Sequence, residues 1–410
     1  MGNYRKAEEL EKMYDEQLKP FATKHCEFKT LREDIHNEET GRTRFRRDRD
    51  RILYSKGFRR LQNKTQVVLS NLGDDFRTRL THTLEVEQIA TSICDALSLN
   101  RDLASAIAMG HDVGHTPFGH AVEELFKEKD VVFAHSVQSV RYLDRLANNY
   151  SGMVLSQQVL EGILKHDSDL FKNKSDYFQD QLDISEYYPE VPPTLEAQVV
   201  FWADKIAYLS HDFEDFTISG LREKALKQGI IQQEELNTIQ DLLILDCSCF
   251  ETRDIIRNVI KNLVEGSSDN LELLKPTSAQ NATEITKNRF EAKKKGGIND
   301  KKAYRESLLI NFKEDFSKGY ELLNDLKQRA YIESPEVKSM DAKAKRIIGP
   351  IFDVFMGDEK LLPWATQNHM MESGISKRRV IVDHIAGMTD RYAKLIYSNL
   401  FELGGDFNRY

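Results

Sequence analysis

The sequence predicts an all-α protein, on three observations. Apolar residues recur at helical spacing along almost the whole chain, alternating strand-like runs are short and scattered, and a polar break, SLNRD at 98–102, separates two of the periodic runs. A chain of 410 residues is too long for one small core, so two lobes or one large helical body are expected.

The elements follow in chain order. Residues 1–73 form an arginine-rich N-terminal segment expected to pack on the core. Within it GRTRFRRDRDRILYSKGFRRLQNK, 41–64, interrupts its basic side chains only with Asp48 and Asp50. That run reads either as a solvated, partly self-paired helix face or as a wall facing phosphate. The core is placed at 74–265. There LTHTLEVEQIATSICDAL sets Leu84, Val86, Ile89, Ile93 and Leu97 at helical spacing, and RDLASAIAMGHD repeats the pattern with Leu103, Ile107 and Gly110. Asn100 is the expected cap of the second helix. SVQSVRYLDRLANN, LSQQVLEGILKHD and LEAQVVFWADKIAYLSHDFEDF continue the helical pattern. Residues 168–194, rich in Asp, Tyr and Pro, look like an insertion or lid loop, with a plain surface loop the simpler reading. Few large apolar residues and a Lys-Lys-Lys-Gly-Gly run at 266–302 predict a flexible linker, followed by a C-terminal helical lobe at 303–410.

Composition narrows the function. No apolar run approaches the roughly 18 residues that span a bilayer, which argues against a membrane protein. The charged fraction of 30% and mean hydropathy of −0.54 fit a soluble one. The start, MGNYRKAEELEKMYDEQ, has charge where a signal peptide has an apolar stretch, so a cytoplasmic protein is expected. Cys26, Cys94, Cys247 and Cys249 form no Cys-x-x-Cys pair, which argues against thiolate metal binding. With a net charge of −8, any attraction for anions must be local.

The chemistry concentrates in RTRLTHTLEV, in HDVGHTPFGH at 111–120, and in FWADKIAYLSHDFED. His82 stands near the start of one helix and His111-Asp112 closes the next, so antiparallel packing brings two imidazoles and a carboxylate together, and Asp204 completes the shell. Such a mixed set suits a divalent metal: Mn, Fe, Co, Ni or Zn, with Mg preferring fewer nitrogens. A metal so held polarises a phosphoryl oxygen and lowers the pKa of its water, which is metal-assisted hydrolysis. His115, His120 and Glu123 follow the His-Asp pair through a tight turn, and His135 appears in FAHSVQSV. Each is either a satisfied core side chain or part of the site; in the second reading His135 donates a proton and Glu123 orients it. Asp204, Tyr208 and Asp212 recur every fourth residue on one polar helix face, lining a solvated surface or an internal pocket.

These residues resemble the HD-domain dNTP triphosphohydrolases, particularly the bacterial dGTPases. The matching text is RDRDRILYSKGFRRLQNKTQV, TRLTHTLEV, HDVGHTPFGHAVEELF, FAHSVQS, ADKIAYLSHDFED and DHIAGMTDRYA, in the expected order over most of the chain. The resemblance implies an HD-domain helical bundle around a metal site, with an additional C-terminal lobe. It implies that His82, His111, Asp112 and Asp204 bind the metal, and that His115, His120, Glu123 and His135 serve the triphosphate and proton transfer. It further implies phosphate contacts by Arg79 and Lys205, a sugar packed against Gln66 and Tyr208, and a 3′-hydroxyl read by Asp212. The implied reaction converts a dNTP, dGTP by default, to deoxynucleoside and intact triphosphate. Family members are commonly homo-oligomers, tetramers or hexamers, and some respond to nucleotides or single-stranded DNA. Two other readings use the same ligands: an HD-type phosphodiesterase or 5′-nucleotidase, which does not need the Gln66, Arg79 and Tyr208 set, and a nucleotide- or nucleic-acid-binding regulator without turnover.

Overall fold

Helix α3 (Arg101–Gly110) is buried along almost its whole length and is the post around which the other helices stand. Against it pack α1 (Arg44–Leu53), α2 (Arg79–Leu97), α6 (Gln157–Leu164) and α7 (Leu195–Ile218). The chain is described here from a computed structural model, for residues 5–32, 41–65, 77–167, 182, 194–243 and 252–402. Among them no strand forms; two isolated bridges, Thr30 to Ser156 and Thr65 to Thr78, link extended segments. No helix is long and apolar enough to cross a membrane.

The first two core helices form where the periodicity sets them. Asn100 caps α3, its side chain accepting from the backbone N–H groups of Asp102 and Leu103, and Ser98, in the left-handed region at φ 53°, ends α2. Val86, Ile89, Ile93 and Leu97 are buried, each worth about 1.5–3 kcal/mol of transfer free energy. Leu84, expected on the same face, is 44% exposed. Gly110 and Gly162 let α3 and α6 touch: a Cβ on the first would collide with Ile163, and one on the second with Ile107.

The expected linker at 266–302 is helical. It holds the end of α8 (Thr252–Leu274), all of α9 (Ala279–Lys295) and the start of α10 (Asp300–Ser307). The sparse apolar content misled because a narrow stripe is enough here: Ala282, Thr286 and Phe290 are buried at four-residue spacing, and Gln198 donates to the Thr286 hydroxyl at 3.1 Å. Gly266 serves close packing, its missing Cβ making room for the backbone of Asn311. The expected lid at 168–194 lies outside the described residues apart from Leu182 and Thr194.

The hydrophobic residues form two clusters, and their division differs from a boundary at 303. Phe312, Tyr320 and Leu323, the last two on α11 (Glu314–Lys327), belong to the larger core with α2, α3 and α7. The second cluster joins the later part of α12 (Pro335–Gly357), α13 (Lys377–Ala386) and α14 (Asp390–Phe401) to Val122 and Phe126 of α4 (His120–Glu128).

Polar contacts fasten this second cluster to the core. Arg141, at the end of α5 (His135–Arg141), donates to both Asp383 oxygens, at 3.0 and 2.9 Å from Nε and 2.6 Å from Nη2. Buried Lys64 donates to the carbonyls of His115 and Ala386. Asp390 accepts from the N–H and hydroxyl of Thr65 and, at 2.9 Å, from the N–H of Phe118, whose φ of 58° is strained for a side-chain-bearing residue. Lys64 and Thr65 and the MTDRYA segment thus meet on the turn that follows His111. Asp390→Ala strands buried donors and should destabilise the protein by on the order of 3 kcal/mol in urea unfolding, with Asp390→Asn costing less. A loss within experimental error for the alanine variant would show that the clasp contributes nothing to stability.

Candidate active site

Arg79 opens α2, capped by the Thr78 hydroxyl, so His82 lies one turn into the helix with its ring buried. His111 closes α3, and Asp204 sits midway along α7. Between Leu195 and Phe216 only Asp204, Lys205, Tyr208 and Glu214 escape full burial, and the first three line a cavity of about 240 Å3. The pocket reading of that helix face holds for Asp204 and Tyr208. Asp212 is buried and does not line the cavity; Lys327, which does, holds its carboxylate at 3.1 Å.

The structure brings the four expected metal ligands together. His82 Nε2 stands 3.0 Å from Asp204 Oδ1, and His111 Nε2 stands 3.7 Å from both Asp204 Oδ1 and Asp112 Oδ2. His111 Nδ1 donates to the Ala108 carbonyl at 2.7 Å, which leaves the Nε2 lone pair facing the cluster with no hydrogen-bond partner. Arg79 Nη1 donates to Asp112 Oδ2 at 2.6 Å while its Nε and Nη2 have no partner among the described residues. Burial opposes the Asp112 charge, but Arg79 and then His111 hold its carboxyl well below the usual range. Asp204 is likewise held low, against burial, by its bond to His82 and the charge of His111. Two imidazoles and two ionised carboxylates, with an orphaned buried nitrogen among them, fit a divalent metal of the first transition row or Mg.

Beside this cluster three imidazoles surround one carboxylate. Glu123, in the first turn of α4, has its Oε1 at 3.2 Å from His135 Nδ1, 3.3 Å from His115 Nε2 and 3.3 Å from His120 Nδ1. His115 and His135 stack at 4.7 Å between ring centres. Burial would lower the His135 pKa, but the charge and hydrogen bond of Glu123 outweigh it and push it up to about 9. His115 is held well below its usual value by burial and by Arg79. His120 is 54% exposed and stands at the mouth.

His166 was missed. Its Nε2 lies 3.2 Å from His135 Nε2, while its Nδ1 donates to the Ile163 carbonyl at 2.6 Å. Burial, then the charges of His111 and His135, push its pKa down to about 4, so it is neutral and accepts from His135. The available signal was a second His-Asp pair closing LSQQVLEGILKHD, read only as a helix end. Asp167, Arg305, Tyr320, Asn324 and Lys327 also line the cavity, without a motif to announce the last four. Gln66 lies outside the described residues.

Comparison with known proteins agrees with this geometry. A model of the HD domain matches residues 79–209, which include all four clustered ligands, and a phosphohydrolase-associated domain matches 310–399. A deoxyguanosinetriphosphate triphosphohydrolase-like protein of Syntrophus aciditrophicus (strain SB) is 34% identical over 430 residues, covering 96% of each chain. Proteins of the same description from Rickettsia rickettsii (strain Iowa) and Azoarcus sp. (strain BH72) are 35% and 36% identical, covering 88% and 90% of this chain and 91% and 93% of their own. The chain therefore belongs to the HD-domain phosphohydrolases, a hydrolase of the deoxyguanosinetriphosphate triphosphohydrolase-like family.

Proposed function

We propose that the protein hydrolyses a deoxynucleoside triphosphate, dGTP by default with wider dNTP use close behind, to deoxynucleoside and intact triphosphate. One observation carries the reading: a single cavity is lined by His82, Asp112 and Asp204, with His111 Nε2 3.7 Å from both carboxylates, beside His135, whose proton Glu123 holds, and the cations Arg79 and Lys205. The relatives' printed description agrees with it. A divalent metal held by His82, His111, Asp112 and Asp204 supplies Lewis acidity at phosphorus and an acidified water. The unpartnered Nε and Nη2 of Arg79 bind phosphate oxygens, with Lys205, His115 and His120 along the same chain of charge. Cleavage breaks the bond between the α-phosphorus and the 5′-oxygen, and His135 protonates that departing oxygen. Glu123 keeps the proton on His135 until then, and neutral His166 orients the ring from its other nitrogen. Tyr208 packs against the sugar; the roles of Gln66 and Asp212 in sugar selection, and assembly as a tetramer or hexamer under nucleotide or single-stranded DNA control, rest on the family resemblance.

Incubation with Mn²⁺ and each dNTP in turn, with products resolved by ion exchange, tests the reaction: deoxynucleoside and intact triphosphate are expected, and orthophosphate or pyrophosphate would point to a phosphodiesterase or nucleotidase. His111→Ala and Asp204→Ala should each abolish metal retention, by elemental analysis, together with hydrolysis; a metal-free variant of full activity would sink the ligand assignment. His135→Ala should retain metal and lose on the order of 10²-fold in rate. Because the His135 proton is held up to about pH 9, turnover should fall as pH rises through that value. Glu123→Gln removes the charge that holds it and should move the fall toward the ordinary imidazole value of about 6.5. An unmoved alkaline limb would assign the proton to another group.

A further inference from the structure

Helix α10 forms one wall of the active-site cavity, and nothing above gives it a function. Its Tyr304 is fully buried, donates to the Lys165 carbonyl at 2.9 Å and meets Phe201 edge to face at 5.3 Å between ring centres. These contacts lock α10 onto the segment carrying His166 and onto α7. The next residue, Arg305, lines both the 240 Å3 cavity and a neighbouring one of about 660 Å3.

The cations around that neighbouring cavity are engaged. Arg289 donates to the Ser307 and Glu306 carbonyls at 3.1 and 3.2 Å, Lys293 pairs with Glu306 at 2.7 Å, and Lys313 pairs with Glu265 at 3.0 Å. Arg305 differs: among the described residues no carboxylate pairs with it, and its buried Nε has no hydrogen-bond partner. Asp167 in the same cavity is held ionised, against burial, by Lys205 first and His135 next. A buried guanidinium nitrogen without a partner carries a desolvation cost that a bound anion removes.

We propose that Arg305 is a substrate-binding residue that grips the phosphate chain, a role that rests on the triphosphohydrolase reading. Charge selects phosphate over base. Arg305 lines the same cavity as the cation Lys205 and as Tyr320, whose hydroxyl donates to the Lys205 carbonyl at 3.3 Å, while Lys327, the cation 4.4 Å from the Tyr208 ring centre, is engaged by Asp212 at 3.1 Å. The planar fork of arginine binds two phosphate oxygens at once.

The test is calorimetric titration of wild type, Arg305→Gln and Arg305→Lys with inorganic triphosphate and, separately, with deoxyguanosine. Among the described residues Arg305 has no ion pair to lose, so both variants should keep the wild-type melting temperature; should the glutamine variant misfold, the lysine variant carries the test. Triphosphate affinity should fall on the order of 10- to 100-fold in Arg305→Gln and less in Arg305→Lys, with deoxyguanosine binding unchanged. Equal triphosphate affinity in wild type and variants would overturn the role of Arg305 alone. So would a loss confined to deoxyguanosine or equal for both ligands. A wild type that binds no triphosphate would instead overturn the functional reading beneath it.

Discussion

The buried bond between Arg79 and Asp112, 2.6 Å long, is the contact on which the site depends. It joins the first residue of α2 to the residue after His111, and so fixes how the two helices align. With that alignment His82, one turn further on, faces His111 at 5.5 Å between ring centres. Buried ion pairs contribute little net stability, because desolvating two charges offsets most of their attraction. This one is also left incomplete, since two guanidinium nitrogens of Arg79 have no partner among the described residues. An apolar pair of the same volume would serve the core as well or better. The unsatisfied donors make sense as groups held in place for an anion that arrives from outside.

The C-terminal helices extend the same logic. They form a second hydrophobic cluster, yet two of their buried carboxylates, Asp383 and Asp390, reach toward the reacting groups. Asp383 holds α5, which begins at His135, and Asp390 with Lys64 holds the turn from His115 to Phe118. The positive φ of Phe118 is a local strain of about 1–3 kcal/mol, tolerated because hydrogen bonds from two distant segments determine it. The lobe is therefore part of the frame that positions the proposed acid and its carboxylate.

Much of this was legible in the chain. The Asn100 cap, the helix pair and the convergence of His82, His111 and Asp112 follow from spacing, because antiparallel helices joined by a short break leave few ways to arrange those side chains, whereas Asp204 comes from a helix about ninety residues further on. What spacing does not record is the third dimension. Arg305 and Lys327 reach the cavity from helices separated from the core motifs by about a hundred residues of sequence or more, with no local pattern marking them. His166 was hidden because its segment reads as one more helical run until its ring is seen 3.2 Å from His135. Asp212 shares a helical register with Asp204, but register does not reveal that Lys327 takes its charge. The linker was misjudged because composition reports how much is buried, and α9 needs only the narrow stripe of Ala282, Thr286 and Phe290.

The central claim is that the bond broken joins the α-phosphorus to the 5′-oxygen, with His135 protonating the nucleoside as it leaves. Hydrolysis of dGTP in water enriched in oxygen-18, with both products analysed by mass spectrometry, tests it directly. The account predicts one labelled oxygen in the intact triphosphate and none in deoxyguanosine. Label in the nucleoside hydroxyl, or release of labelled orthophosphate or pyrophosphate, would place the attack elsewhere and contradict it.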